Sequence, residues 1–462
     1  MNTFPIQPAR IQALNKHAIK KGRYILYWMQ QSQRAEYNHA LEYAIQQANT
    51  LGQSVLVGFG LMDDYPEANL RHVTFMLEGL RETQATLAMQ GIKMVIQRGS
   101  PVEVALALGK DAALIVCDRG YLKHQKAWRA HVASSAGCPV VQVESDVVVP
   151  MALVSNKAEY AARTIRPKIH RHLDNCLVPF TSSRVKKKSL GLKVHSLDLT
   201  DVGALVQKLS LDQNVAPATL FFKGGTSQAM ARFESFIQNQ FHRYVENRNQ
   251  PQTDDISHMS PYLHFGQISP LYLALKVKAD GDRLVEAQEA YLEELIVRRE
   301  LAMNFTHFNP SYHSFACLPP WAKKSLQEHR KDPRQTIYTR SQLENARTHD
   351  VYWNAAMEEM KTTGFMHNYM RMYWGKKILE WSRTPAHAFR TTLAINNKYF
   401  IDGRDPNSYA GVAWIFGMHD RAWFERPIFG KVRYMAASGL ERKCDIQGYV
   451  DKVASLATVK RS

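Results

Sequence analysis

The residues of this 462-residue chain that could do chemistry lie in its second half. Across residues 282–305, Ala287, Tyr291, Glu294, Arg298 and Leu301 recur at three- and four-residue intervals, so they share one helical face. Glu294 on that face has two readings. It pairs with Arg298 at i,i+4, a nearly neutral surface arrangement, or it is a partly buried acid of raised pKa that can hydrogen-bond a substrate. The pattern alone favours the surface pair. In the stretch MHNYMRMYWGKKILEW (366–381), Asn368, Arg371, Trp374, Ile378 and Trp381 fall on one face. Trp374 and Trp381 are two turns apart, a rise of ~10 Å. A buried Arg371 needs a counter-charge or an anionic ligand, unless it snorkels from ordinary packing. The turn-rich NNKYFIDGRDPN (396–407) is an exposed turn, or folds inward and presents Asp402 to Arg371. Ser257-His258-Met259-Ser260-Pro261 offers hydroxyls and free N–H groups to a phosphate, or simply caps a helix.

These groups must be carried by two kinds of scaffold. Apolar runs at 24–29, 54–60, 93–97, 113–118 and 140–144 alternate with helical stretches near 34–51, 67–90, 102–108 and 122–134. That alternation predicts an α/β domain over 1–180, a Rossmann-like doubly wound and mostly parallel sheet. No Gly-x-Gly-x-x-Gly follows any strand, so the dinucleotide fingerprint is absent. Residues 181–225 read as an interdomain linker whose basic run at 184–188 is a solvated face. From 226 to 462 helical patterns dominate, at 226–248, 282–305, 340–346, 354–382, 384–394 and 441–455, and predict an all-α domain.

Composition sets the outer bounds. Apolar residues make up 45% and charged residues 22%, which is globular and not disordered. Lys and Arg outnumber Asp and Glu by 59 to 42, so a polyanionic partner is favoured. The five cysteines form no Cys-x-x-Cys pair and His170-x-His172 has no companions, which leaves no disulfide framework and no metal site. No membrane span and no secretory signal are present, and a cytoplasmic protein is expected. Eight Trp and 20 Tyr are the unusual entries, since large rings can stack bases or relay electrons as well as fill a core.

Taken together, the strings YWMQQSQRAE (27–36), EYAARTIRPK (159–168), SPYLHFGQIS (260–269), EELIVRREL (293–301), THDVYWN (348–354), RMYW (371–374) and DGRD (402–405) resemble the photolyase–cryptochrome superfamily, and specifically class II cyclobutane pyrimidine dimer photolyases. The resemblance runs over nearly the whole chain. It implies a helical domain that holds FAD, whose reduced form under near-UV or blue light gives an electron to a dimer flipped out of double-stranded DNA. Tyr244, Ser257, His258, Met259 and Ser260 would contact the diphosphate arm, with Asn368 and Asp405 also in the cofactor set. Arg371 and Asp402 would pair beside the flavin ring, with Asn396 near its N5. Glu294 would hydrogen-bond the dimer, which reverses the preference from pattern alone. Arg248, Met372, Trp414 and Arg421 would line the dimer pocket, and Trp353, Trp374 and Trp381 would relay electrons to the flavin. Met303 stands where relatives carry Asp, and Asn368 where class II members carry Gly.

The resemblance leaves the antenna open between a deazaflavin, a folate and none, and implies a monomer with no obligate protein partner. The main rival is a non-catalytic cryptochrome-like blue-light receptor, against which Glu294 stands. Repair of (6-4) photoproducts would call for a pair of pocket histidines that is not found. A plain nucleic-acid-binding helical protein would leave an internal Arg–Asp pair unexplained.

Overall fold

A computed structural model describes residues 6–179, 182–280 and 284–459. The expected domain boundary at 180–181 and the start of the helix expected at 282 lie outside these residues. The first half contains β1 (Ile11–Ala13), β2 (Tyr24–Trp28), β3 (Ser54–Leu61), β4 (Lys93–Arg98), β5 (Ala112–Asp118) and β6 (Val140–Val143). They form one sheet in the order β1-β6-β5-β2-β3-β4. The five strands read from the sequence are all there and run parallel. The addition is β1, which pairs antiparallel with β6 at the edge and is too short to show a pattern.

Strands β2, β3 and β5 are buried along their whole length, which explains why they read as continuous apolar runs and not as alternations. Helices α1 (His39–Leu51) and α2 (Leu70–Met89) cover one face through residues such as Ala44, Ile45, Val73 and Leu80. Helices α3 (Pro101–Gly109) and α4 (Lys123–Ser135) cover the other through Val104, Leu108 and Val132. The chain reverses its winding between β2 and β5. At such a switch point an open sheet leaves a crevice beyond the carboxyl ends of its strands. There the Asp118 carboxylate accepts backbone N–H groups of Gln30 and Gln31 at 2.8 Å and of Ser32 at 3.1 Å, which fixes the loop after β2.

Residues 182–225 are anchored along much of their length. Leu199, Val202, Leu205 and Leu209 join the core under α2, and the Leu197 N–H donates to Ile96 of the outer strand β4 at 2.7 Å. The segment thereby covers a sheet edge that would otherwise be open. The basic side chains from Arg184 to Lys188 face solvent.

The second half is helical. It includes α5 (Val285–Leu292), α6 (Arg299–Phe308), α7 (Val351–Thr363), α8 (Asn368–Glu380), α9 (Pro385–Tyr399), α10 (Pro406–Ile415) and α11 (Ile446–Val459). Two expectations change. The single helix read over 354–382 is broken, because Gly364 takes a left-handed φ of 74° and caps α7. The continuous helix read from 282 contains a π turn over Glu293–Arg298 between α5 and α6. Pro270–Asp280, Pro320–Glu328 and α10 are additions to the helices read from the sequence.

The sheet meets the helices through buried polar side chains. Arg71 on α2 donates to the carbonyls of Tyr399 at 2.7 Å, Lys361 at 2.6 Å and Met360 at 3.1 Å. Arg34 is paired with Asp146 at 2.8 Å and also reaches the Gly266 carbonyl at 2.9 Å. Gly266 itself has a φ of 64°, and a side chain there would run into the Gln31 carbonyl. On α6, the Glu300 carboxyl accepts the N–H groups of Val148 at 2.6 Å and Val149 at 3.2 Å.

Burial pushes the Glu300 carboxyl up to about 8, against an ordinary value of 4.5. Between those values the folded chain keeps a proton that the unfolded chain releases, so stability falls as pH rises through that window. Glu300→Gln removes the effect. Between pH 5 and 8.5 the native protein should lose about 2–4 kcal/mol more unfolding free energy than the variant. Denaturant unfolding at each pH measures this, and parallel curves would show that Glu300 is already ionised in the fold.

Candidate active site

The π turn decides where Glu294 points. In a regular helix Arg298 would sit one turn below Glu294. With five residues per hydrogen-bonded loop it falls below Glu293 instead and pairs with that carboxylate at 3.1 Å, as does Arg166 at 2.7 Å. The i,i+4 partner read from the sequence is therefore corrected. Glu294 is freed to meet Arg248 at 3.4 Å from a different element, and about half of its side chain (47%) remains exposed.

From Glu294 a continuous series of contacts leads inward. The Arg248 guanidinium lies 6.0 Å from the Tyr244 ring centroid, Tyr244 packs on Tyr291 at 5.5 Å, and the Tyr291 hydroxyl donates to Ser257 Oγ at 3.0 Å. Burial, with Glu294 adding to it, pushes the Tyr244 phenol up to about 12, so it stays protonated. His258 follows, in a left-handed conformation with φ 54°, and its Nε2 meets Asp254 at 2.9 Å. Its Nδ1 is buried with no partner among the described residues. Met259 is core and Ser260 opens the short helix Ser260–His264.

The His258 ring packs on Phe365 at 4.7 Å, and Phe365 lies 5.6 Å from the Arg371 guanidinium. Arg371 on α8 stacks on the Phe400 ring at 3.8 Å and donates to Asp402 Oδ2 at 3.0 Å. Asp402 Oδ1 is buried and has no donor among the described residues. The turn that carries it is held from behind. Asn396, at the end of α9, donates both amide protons to Asn397 and Ser408, and the Asn397 Oδ1 accepts the Arg404 N–H at 3.1 Å. The inward fold of 396–407 is thus realised, and Arg371 has its counter-charge.

The tryptophans form a line that begins beside this pair. Trp374 lies 6.3 Å from Phe400 and stacks nearly parallel on Trp353 at 6.5 Å, and Trp353 meets Trp381 edge-on at 5.6 Å. All three rings are buried, and the Trp353 Nε1–H donates to the Trp374 carbonyl at 2.9 Å. Trp353, not Trp374, is the neighbour of Trp381. The line continues to Tyr338, 5.3 Å from Trp381, whose hydroxyl meets His349 Nδ1 at 2.6 Å. Sequence reading missed both residues because they lie outside the tryptophan helix.

Other expected residues stand apart. Asn368 opens α8 and is exposed, so it does not share the buried face of Trp374. Asp405 caps α10 by accepting the Asn407 N–H at 2.7 Å and faces His264 at 3.4 Å. Trp414, at the end of α10, is half-buried under the Arg433 guanidinium at 5.3 Å. Arg421 is exposed in the following loop and Met372 is half-buried beside Arg371.

A second cleft opens at the switch point, with about 880 Å³ of space between its walls, part of it open to solvent. Gln30 and Gln33 line it with buried amide atoms that have no protein partner, and Trp128, Phe59 and Met62 supply apolar walls. Asp405 and Arg404 reach it from the helical side. Among the described residues no helix is long and apolar enough to cross a membrane.

Residues 25–186 match the sequence profile of the DNA photolyase family. The chain is 50% identical over 452 residues, 98% of its length and 99% of the relative's, to a deoxyribodipyrimidine photo-lyase of Methanothermobacter thermautotrophicus. It is 37% identical to one from Arabidopsis thaliana, covering all of this chain and 95% of the relative. The Potorous tridactylus enzyme of that name is 35% identical across 98% of this chain and 85% of its own. Among solved structures, a class III photolyase from Agrobacterium tumefaciens superposes with a TM-score of 0.75 at 17% identity, over 94% of this chain and 87% of the other. A Synechocystis cryptochrome gives 0.67 at 13% identity, over 94% of this chain and 99% of the other. These two show the shared fold, while the full-length sequence identities settle descent: the chain belongs to the DNA photolyase family.

Proposed function

We propose that this chain is a class II deoxyribodipyrimidine photo-lyase that uses light to split cyclobutane pyrimidine dimers in double-stranded DNA. The observation that carries the reading is the unbroken series from Glu294 through Arg248, Tyr244, Tyr291 and His258 to Phe365, Arg371 and Asp402. It joins an exposed acid suited to a substrate to a buried ion pair suited to a cofactor. Two buried atoms fit FAD in particular. Asp402 Oδ1 wants a donor, which the ring N–H of a flavin supplies, and His258 Nδ1 wants a partner next to Ser257 and Ser260, where the diphosphate would lie. The chemistry that reduced FAD supplies when bound is a single electron, released on absorption of near-UV or blue light and returned after the ring opens.

The chain's own residues bind, orient and insulate. With a net charge of +17, the protein draws in the phosphate backbone, and a lesion that stacks poorly is cheaper to flip out. Trp414 and Met372 offer apolar walls to the flipped bases, and Arg421 a contact to the strand. Glu294, at the rim of this series of contacts, is placed to hydrogen-bond the dimer once it is bound. Arg248 then places positive charge beside the anion radical of the dimer. Arg371, held by Asp402 and Phe400, sets the charge beside the flavin, and Asn396 shapes the wall from which the turn hangs. Asp405 acts through the helix cap and Asn368 from the rim. Trp374, Trp353 and Trp381 keep each hop short for an electron entering from the surface.

On this reading a helical domain from about 226 carries the catalysis, and the cleft at the switch point would take a deazaflavin or folate antenna. The chain would act as a monomer in the compartment that holds the DNA. The deciding experiment is repair itself: protein purified in red light, reduced, and mixed with a dimer-containing duplex in blue light and in darkness. Flavin absorption with light-dependent loss of dimers supports the reading. Flavin without repair would make the chain a photoreceptor, and no flavin at all would refute both.

Three variants test the separate roles. Glu294→Ala should leave FAD bound and lower the dimers split per absorbed photon by roughly tenfold. An unaltered yield would remove Glu294 from the chemistry. Trp374→Phe should abolish light-driven reduction of oxidised flavin yet spare repair by chemically reduced enzyme, and photoreduction at the native rate would sink the relay. Asp402→Asn strands the Arg371 charge and should weaken FAD binding roughly tenfold, measured by flavin released on dilution. Full retention of flavin would place the cofactor elsewhere.

A further inference from the structure

Lys376 is the one lysine with no exposed surface at all among the described residues. It lies on α8, two residues past Trp374, on the side that packs against α10. The two helices approach closely because position 375 is glycine; a Cβ there would run into the Ile415 side chain. Through this contact the Lys376 ammonium reaches the carbonyl of Ile415, in the last turn of α10, and donates to it. Among the described residues no carboxylate lies within ion-pairing distance of it. Its Nζ instead lies 5.1 Å from the ring centroid of Trp414.

A buried ammonium without a carboxylate is expensive unless something negative faces it. Here the negative groups are a carbonyl dipole at a helix C-terminus and the π face of an indole. The charged groups that face it come from the segment after α10. Asp420 favours the charge, and Arg433, itself paired with Asp420 at 3.1 Å, opposes it. His419 in the same segment is pushed down to about 4 by burial and stays neutral in the range of interest. Burial lowers the Lys376 ammonium to about 7, from an ordinary 10.5.

We propose that Lys376 is a positioning residue for the dimer: its ammonium holds the Trp414 ring in place from within, and the hold slackens when the proton is lost. The inference rests on the proposed function, since Trp414 matters only if it meets the dimer. The neutral amine still donates to Ile415 but has no attraction for the indole. Trp414 then loses one of its two cationic neighbours, while Arg433 at 5.3 Å remains. Preference for the lesion is therefore strongest when Lys376 is charged and declines as pH rises through neutrality. Phosphate contacts elsewhere do not share this dependence.

The test is equilibrium binding in the dark by the FAD-loaded enzyme, from pH 6 to 8.5, to duplexes with and without one dimer. The ratio of the two affinities cancels the general attraction to DNA. In the native protein that ratio should fall by roughly three- to tenfold across the range. Lys376→Met keeps the length of the stem without the charge; its ratio should be flat and equal to the native value at pH 8.5. Trp414→Leu should also flatten the profile, and the double variant should add nothing further. Should Lys376→Met fail to retain FAD, Trp414→Leu decides alone, because the fall in ratio cannot outlive the ring. A flat native profile, or a fall that survives either substitution, overturns the proposal. A native protein that does not prefer the dimer duplex at any pH overturns the proposed function instead.

Discussion

The guanidinium of Arg371 organises the helical half of the molecule. It is charged, largely removed from water, stacked on Phe400 and paired with Asp402. A charge so placed has to be satisfied by the surrounding fold, and its partners come from separate stretches of chain. Phe365 belongs to the link that breaks the long helix, and Asp402 to the turn between α9 and α10. That turn is braced in its own right by Asn396 and Asn397, and the helix carrying Arg371 also carries Trp374. One ion pair thus fixes how the tryptophan line, the turn at 396–407 and the link at Phe365 stand relative to one another.

The same logic operates between the two halves. Arg71 and Glu300 are buried in the joint and satisfied largely by backbone groups of the other side, and Arg34, held mainly by its own half, reaches across to the Gly266 carbonyl. Backbone partners are directional and numerous, so such a joint resists sliding in a way that an apolar contact would not. The switch-point cleft depends on this rigidity, because its lining comes from both sides, Gln30 and Gln33 from the sheet and Arg404 and Asp405 from the helices.

Much of the site was legible because its residues are polar where periodicity predicts core. Arg371 on an indole-bearing face demanded a counter-charge, and the turn-rich 396–407 was the nearest supplier. The parallel strands were legible for a related reason, since burial on both faces leaves continuous apolar runs with sharp ends. What failed was continuity. A π turn shifts helical phase without changing composition, so Glu294 meets Arg248 and not Arg298, and the break at Gly364 leaves Asn368 exposed as the first residue of α8. The leucines that anchor residues 182–225 are too sparse to show a period.

By itself, the sequence determined the kinds of element, the basic charge, the family resemblance and the types of residue available for electron transfer and acid chemistry. These follow from local pattern and composition, which act over a turn or two of chain. The tertiary structure alone decided which residues meet: Glu294 with Arg248, Trp353 between Trp374 and Trp381, Lys376 beneath Trp414, and Asp405 turned to a helix cap. Such pairings depend on how helices far apart in sequence cross, and a shift of one residue in helical phase, about 100° of rotation, is enough to exchange one partner for another.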